Sequence, residues 1–237
     1  MKRSELDDAV EAALELAAGL SFALPDFARW RRQHWADHLA ELRPTLERGL
    51  GWDVTDFGRG EFGRFGLTLC TLRNGSLAER DAGTGQTYAE KVMAVRVGQE
   101  TPFHSHAIKT EDIINRGGGY LDVELYPMAR TAEQLGLGKG VVATFVDGVY
   151  RQVAAGQRVT LAPGQSIQVP RGVMHRFWAV EAPVLAAEVS CVNDDAGDNT
   201  FLEPAGRFPL IVEDVPARYL LAGEYPALLG SVPGGLS

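Results

Sequence analysis

The stretch Gly98-Gln-Glu-Thr-Pro-Phe-His104-Ser-His106-Ala-Ile-Lys109-Thr-Glu111-Asp-Ile-Ile-Asn-Arg-Gly-Gly118 decides how the rest of this chain is read. Its skeleton is G-x5-H-x-H-x4-E-x6-G, with three metal-ligand side chains inside eight residues and a glycine on either side. Residues two apart on a strand point to one face, so His104 and His106 project together. Glu111 follows a short turn and can return to the same point. A second stretch completes the set: Gly164-Gln-Ser-Ile-Gln-Val-Pro170-Arg-Gly172-Val-Met-His175, or G-x5-P-x-G-x2-H. Three imidazoles and one carboxylate suit a divalent Mn, Fe, Zn, Co or Ni and leave positions open for water or substrate.

The two stretches resemble the paired motifs of the cupin superfamily, whose fold is a jelly-roll barrel. The second motif of that superfamily often ends in Asn four residues after its His, where this chain has Ala179. The departure lies outside the ligand set. Short strands punctuated by Gly and Pro throughout the middle of the chain agree with a mainly β jelly roll.

Composition narrows the partners. The 237 residues suffice for one sizeable core, and 45% of them are hydrophobic. A net charge of -8 argues against nucleic acid or an anionic membrane, which demand basic patches. Met1-Lys-Arg-Ser runs into an acidic amphipathic segment rather than the apolar core of a signal peptide, and no run reaches membrane-span length. Cys70 and Cys191 form no C-x-x-C pair and read as small core residues in a reducing cytoplasm. Only four of the 23 basic residues are lysines, and two of these, Lys91 and Lys109, flank the metal motif. A buried lysine can have its pKa lowered into a useful range, which arginine cannot.

Taken in order, residues 1–50 predict a helical prefix. Leu6, Val10, Ala13, Leu14 and Ala17 recur at helical spacing, with Ser4 and Asp7 as a capping-box variant. Pro25 opens a second helix that runs to about Arg43 and is ended by Pro44. His34 and His38 stand four apart, a zinc-chelating spacing, but no base or third ligand is nearby and a packing or solvated pair is the reading. The jelly roll then occupies 51–198. Gly51 to Gly58 is turn-rich, 67–72 is a strand, and 76–87 a loop. Strands follow at 91–97, 120–126, 142–146, 157–161, 166–169, 174–179 and 184–192. Gly117-Gly-Gly119 reads as a tight turn between strands, and 127–140 as a connection with a few helical turns. Residues 199–237, rich in Pro and Gly, predict an irregular tail wrapping the barrel or a partner. One domain is expected throughout.

Further stretches narrow the choice of cupin: Gly51-Trp-Asp-Val-Thr-Asp-Phe-Gly58, Thr87-Tyr-Ala-Glu-Lys91, Lys109-Thr-Glu-Asp-Ile-Ile-Asn115, Glu188-Val-Ser-Cys-Val-Asn-Asp-Asp195 and Glu203-Pro-Ala-Gly-Arg-Phe208. With the metal motifs they resemble the D-lyxose isomerase family of manganese-dependent cupins, over about residues 50 to 215. That resemblance implies interconversion of an aldose and its 2-ketose, D-lyxose with D-xylulose and D-mannose with D-fructose. It also implies a homodimer, and Mn on His104, His106, Glu111 and His175. The chemistry needs a Lewis acid, a base that moves a proton between C1 and C2, and an acid for the oxygen. Glu188, a carboxylate in the apolar run Val184-Leu-Ala-Ala-Glu-Val189, is the candidate base, Lys109 the acid, and Lys91 a group polarising a substrate oxygen; these roles can be exchanged on sequence alone. Asn193, Asp194, Asp195 and Arg207 are candidates for binding sugar hydroxyls, with a turn-shaping role as the alternative for the two aspartates.

Three other readings share the ligand set. An Fe(II) cupin dioxygenase uses similar ligands but favours an apolar pocket. A non-catalytic sugar-binding regulator would need a DNA-reading helix or basic arm, and neither is visible. A phosphosugar isomerase needs an anion-binding cluster, for which Arg116, Arg171 and Arg176 are near in sequence.

Overall fold

The structure, a computed structural model, describes residues 1–130, 135–194, 197–206 and 208–230. Helix α1 (Arg3–Gly19) buries Leu6, Ala9, Val10, Ala13 and Ala17, the apolar stripe that the helical spacing calls for. Its start differs from expectation. The Lys2 amide donates to Glu5 Oε2, whereas Ser4 donates through its amide and hydroxyl to Asp214, and Asp7 accepts from the amides of Arg218 and Tyr219. Ser4 and Asp7 therefore hold the C-terminal segment. The Tyr219 amide, buried where this segment meets the core, needs an acceptor, and that demand outweighs a local cap.

The expected second helix is broken into a 3-10 turn (Asp26–Arg29), α2 (Arg32–Asp37) and α3 (Leu39–Glu47). Trp30 and Arg31 are extended, and the Arg32 amide donates to the Arg218 carbonyl. This turn drives Trp35 into a small core with Leu42, Leu46, Leu220 and Tyr225. Pro44 lies inside α3 instead of ending it; burial of Leu42 and Leu46 offsets the hydrogen bond that proline removes. His34 and His38 stack on one another beside Trp30, a packing pair.

The strands are β1 (Gly51–Thr55), β2 (Leu67–Asn74), β3 (Tyr88–Val95), β4 (Glu100–His106), β5 (Glu111–Arg130), β6 (Leu135–Leu137), β7 (Val141–Val146), β8 (Val149–Ala154), β9 (Arg158–Leu161), β10 (Ser166–Val169), β11 (Val173–Cys191) and β12 (Asn199–Phe201). Between β2 and β3 stands α4 (Leu77–Ala82), where a loop was expected; Ser76 caps it by accepting from the Glu79 amide. The pairings between these strands are all antiparallel.

Two long strands, β5 and β11, each serve both layers of the jelly roll. The first half of β5 pairs with β10 and the end of β11, giving a layer ordered β1-β2-β3-β11-β5-β10-β7-β8. The second half of β5 pairs with β9 and the start of β11, which also pairs with β4, and β4 with β12. Gly117 to Gly119 thus lies inside β5, not at a turn between strands. It is the corner where the strand crosses between layers, opposite register shifts in β11 after Val180 and Leu185. Gly118 has φ of 98°, and a Cβ there would stand 2.0 Å from the Pro183 carbonyl oxygen. Gly118→Ala is expected to destabilise the fold by about 2–5 kcal/mol, summing backbone strain and overpacking, as read by chemical denaturation.

The interior between the layers holds Leu121, Val123, Leu125, Ile167, Val169 and Phe177. A second core lies outside the first layer, where α1 covers Trp52, Val54, Cys70, Leu72 and Val92. This explains β1, read from sequence as turn-rich. Its Trp52 and Val54 face the helix, while Gly51, Asp53 and Thr55 alternate to the barrel interior, so the inner face is polar although buried. The sequence expectation also missed β8 and took residues 127–140 as a connection; β5 runs on to Arg130 and β6 pairs with its end.

The segment after residue 198 is not wholly outside the barrel, because β12 pairs with β4. Beyond it Val212 bridges Lys2, Leu221 bridges Trp52, and α5 (Tyr225–Gly230) ends the described chain. Buried Arg3 ties this segment down through Glu213 and Glu224. No helix among the described residues is long and apolar enough to cross a membrane.

Candidate active site

Strand β4 delivers His104 and His106 to one face, and His175 on β11 sits directly opposite His104 in the ladder. Glu111, the first residue of β5, comes from the other layer. The four ligand atoms lie within 4.8 Å of one another, close enough for one shared ion. His106 Nε2 is 3.2 Å from Glu111 Oε2, and His175 Nε2 is 3.0 Å from Glu111 Oε1.

The donor set fits a divalent metal on three observations. His104 Nδ1 faces the Pro102 carbonyl at 2.8 Å and His175 Nδ1 the Val173 carbonyl at 3.2 Å. A carbonyl only accepts, so Nδ1 carries the proton in both rings and the Nε2 lone pair is left for a ligand. Burial, reinforced by the neighbouring imidazoles, pushes His104 well below the ordinary histidine pKa; burial lowers His106 as well, outweighing Glu111. His104 and His106 are therefore neutral, as metal ligation requires. Finally, His106 Nε2 and His175 Nε2 are buried with no hydrogen-bond partner, and such atoms are costly unless something occupies the space between them.

Beside this cluster stands a second charged group. Lys109 Nζ donates to Glu188 Oε1 at 2.5 Å and lies 2.9 Å from Glu111 Oε2. Lys91 pairs with Glu188 across the β3–β11 ladder, its Nζ 3.6 Å from Glu188 Oε2. Burial alone would lower the Lys109 pKa, but Glu111 and Glu188 outweigh it and raise it. This reverses the direction expected for a buried lysine: two carboxylates hold the ammonium charged. Burial likewise pushes Glu188 upward, yet Lys109 and then Lys91 prevail and keep it below the usual carboxylate value. Glu188 is thus an ionised carboxylate inside the barrel, and its partners are lysines, not an arginine.

These residues line a cavity of about 410 Å³. Its charged end carries His104, His106, Lys91, Lys109, Glu111 and Glu188, and Asp53, Thr55, Thr101 and Asn199 add polar groups. Phe57, Phe177 and Phe201 form an apolar wall. Among the described residues no arginine lines it. Arg176 is drawn away by Glu100 and Glu124, and Arg116 and Arg171 are exposed.

The remaining expectations divide. Asp194 is not brought into the cavity; its Oδ1 accepts from the Gly197 amide, the turn-shaping role. Asp195 and Arg207 lie outside the described residues. Sequence reasoning missed Asp53 and Thr55, hidden in a segment whose polar alternation resembled a turn. Asn193, read with the two aspartates as a hydroxyl binder, instead holds Lys91. Asn74 Oδ1 accepts from the Asn193 amide, and Asn193 Oδ1 takes a 2.5 Å hydrogen bond from Lys91 Nζ. Asp198, discussed below, carried no signal in a stretch of turn-forming residues.

A two-layer jelly roll with three imidazoles and one carboxylate converging inside it, in the spacing of the two sequence motifs, defines a cupin with a candidate metal centre. The D-lyxose isomerase family profile matches residues 1–225, further at both ends than the motifs alone reach. The chain belongs to the D-lyxose isomerase family. It is 43% identical over 228 residues to a D-lyxose/D-mannose isomerase of Escherichia coli O157:H7, covering 95% of this chain and 98% of that protein. A D-lyxose/D-mannose isomerase of Serratia proteamaculans is 44% identical over the same length and coverage. Among solved structures, the L-ribose isomerase of Acinetobacter sp. DL28 superposes with a TM-score of 0.58 at 16% identity, covering 90% of this chain and 98% of that one. The L-ribose isomerase of Cellulomonas parahominis gives 0.56 at 19% identity with the same coverage. At those identities the two structures show the shared fold alone.

Proposed function

We propose that this protein is an aldose–ketose isomerase that interconverts D-lyxose and D-xylulose, and D-mannose and D-fructose, by proton transfer through a cis-enediol, with Mn at His104, His106, Glu111 and His175. The observation that carries the reading is an ionised Glu188 held between two ammonium groups at the same cavity end as the ligand cluster. When bound there, the metal supplies Lewis-acid polarisation of the carbonyl. Glu188 takes the C2 proton of the aldose and returns it to C1. Lys109 serves the oxygens, donating a proton to O1 as the carbonyl is reduced and receiving the O2 proton as the new carbonyl forms. Lys91, fixed by Asn193, keeps Glu188 ionised and offers its N–H groups to a substrate oxygen. The phenylalanine wall gives the carbon face of a sugar a surface from which water is excluded.

The same cavity disfavours the rivals. A phosphosugar would bring a charge for which the described lining offers no arginine. A dioxygenase has no use for a carboxylate clamped by two lysines, and neither has a passive sugar binder. The reading includes the reducing cytoplasm, supported by free Cys70 and Cys191. It also includes a homodimer, for which the exposed Val141, Phe145, Val149 and Tyr150 of the β7–β8 edge hairpin offer an apolar surface; Trp35 does not, since it is buried within its own chain.

The test is to strip the protein with chelator, restore Mn, and follow D-lyxose and D-mannose in heavy water by NMR. Ketose should form only with metal present, and solvent deuterium should enter at the transferred position. Absence of both ketose and exchange with either sugar, in fully loaded protein, would sink the free-sugar isomerase reading.

A further inference from the structure

Asp198 stands just before β12, is 2% exposed, and has no place in the proton transfer described above. Three successive amides of the turn after His106 end on this one residue. The Ala107 amide donates to the Asp198 carbonyl at 3.2 Å, that of Ile108 to Oδ1 at 2.6 Å, and that of Lys109 to Oδ2 at 3.3 Å. Oδ2 also faces His106 Nδ1 at 3.7 Å, and no hydrogen-bond partner reaches that nitrogen. The Asp198 amide is in turn anchored on the Asp194 carbonyl at 3.0 Å.

These contacts have two physical consequences. Consecutive N–H groups converging at a bend form a concavity that favours an anion, and here the chain supplies the anion itself. Without it, the amides of Ile108 and Lys109 would lose their acceptor and the turn its curvature. Further, His104 and His175 are each oriented by a carbonyl two residues earlier on their own strand, whereas His106 has only the Asp198 carboxylate, supplied from a remote segment. A carboxylate 3.7 Å from Nδ1 favours the proton on that nitrogen through its charge and leaves Nε2 as the ligand atom.

We infer that Asp198 is the positioning residue of the site: it fixes both the tautomer of His106 and the point from which Lys109 projects, coupling the C-terminal segment to the ligand cluster. The inference rests on reading His104, His106, Glu111 and His175 as a metal centre, but not on turnover.

The test uses Asp198→Ala and Asp198→Asn in the full chain, with two readouts that need no substrate. Hydrogen exchange should speed up about tenfold or more at the amides of residues 107–109 in Asp198→Ala, with the amides of β5 and β11 unchanged. Titration with Mn alone should show affinity about 10–100-fold weaker in both variants. Asp198→Asn retains an oxygen for one amide but presents an amide group where His106 and Lys109 need an acceptor, so its exchange should fall between. If Asp198→Ala does not fold, the asparagine variant decides. Mn affinity and local exchange both within about twofold of wild type would overturn the inference. Wild type that takes up no Mn would overturn its metal half whatever the exchange shows. A loaded wild type inactive on every sugar would instead count against the isomerase reading and leave these two measurements intact.

Discussion

Glu188→Gln is expected to lower kcat by about 10²–10⁴-fold, the usual contribution of a positioned general base, with KM changed far less. The substitution keeps the shape of the side chain and its contact with Lys109 but removes the electron pair that accepts the C2 proton. Glu188 is not one of the four clustered ligands, so Mn stoichiometry should stay at the wild-type level. Deuterium incorporation into substrate should fall in parallel with kcat, because both pass through the same base. A variant that retains kcat within about tenfold would remove Glu188 from the base role and direct attention to Lys109. Lys109 keeps Glu111 as a partner at 2.9 Å in this variant, so the site should not collapse for want of a counter-charge.

His175→Ala is the second large effect. His175 is fully buried, with Nε2 3.0 Å from Glu111 Oε1 and its ring orientation set by the Val173 carbonyl. Loss of a ligand should weaken Mn binding by more than about 100-fold, beyond the range produced by losing an outer partner. Turnover should vanish at Mn concentrations that saturate wild type. A thermal measurement separates this from simple misfolding. Ligand present at about 100 times its Kd stabilises a fold by about 2.7 kcal/mol, so Mn should raise the Tm of wild type and leave that of His175→Ala unmoved. If Mn raises both equally, His175 is not a ligand.

Much of the site was legible because its chemistry is local in sequence. His104 and His106 fall on one strand and Glu111 opens the next after a short turn, and the spacing alone places two imidazoles on one face. Glu188 was visible as a charge where burial demanded a partner. The partner's identity was not visible, because Lys109 and Lys91 come from two other elements. Asp53 was lost for a related reason. A strand whose inner face lines a polar cavity looks, residue by residue, like a turn, and only the helix lying on Trp52 and Val54 reveals it as a strand.

The glycine corner in β5 was misread because sequence marks a break in regular geometry but cannot say whether the chain reverses or bends. Here Gly118 lies against the Pro183 carbonyl in the neighbouring long strand, so the ladder continues through the corner. The same holds at the N-terminus, where Asp7 serves amides more than 200 residues away in place of its own helix.

By itself the sequence determined the jelly-roll class and the candidate ligand set and singled out Glu188, Lys109 and Lys91, since each depends on residue type, spacing and motif. Only the tertiary structure decided which charges meet. It set Lys109 as a stably charged ammonium against the opposite expectation, clamped Lys91 with Asn193, and brought Asp198 under the His106 turn. Those outcomes depend on distances between elements far apart in the chain, and at such distances the balance of burial against Coulomb attraction fixes the state of each group.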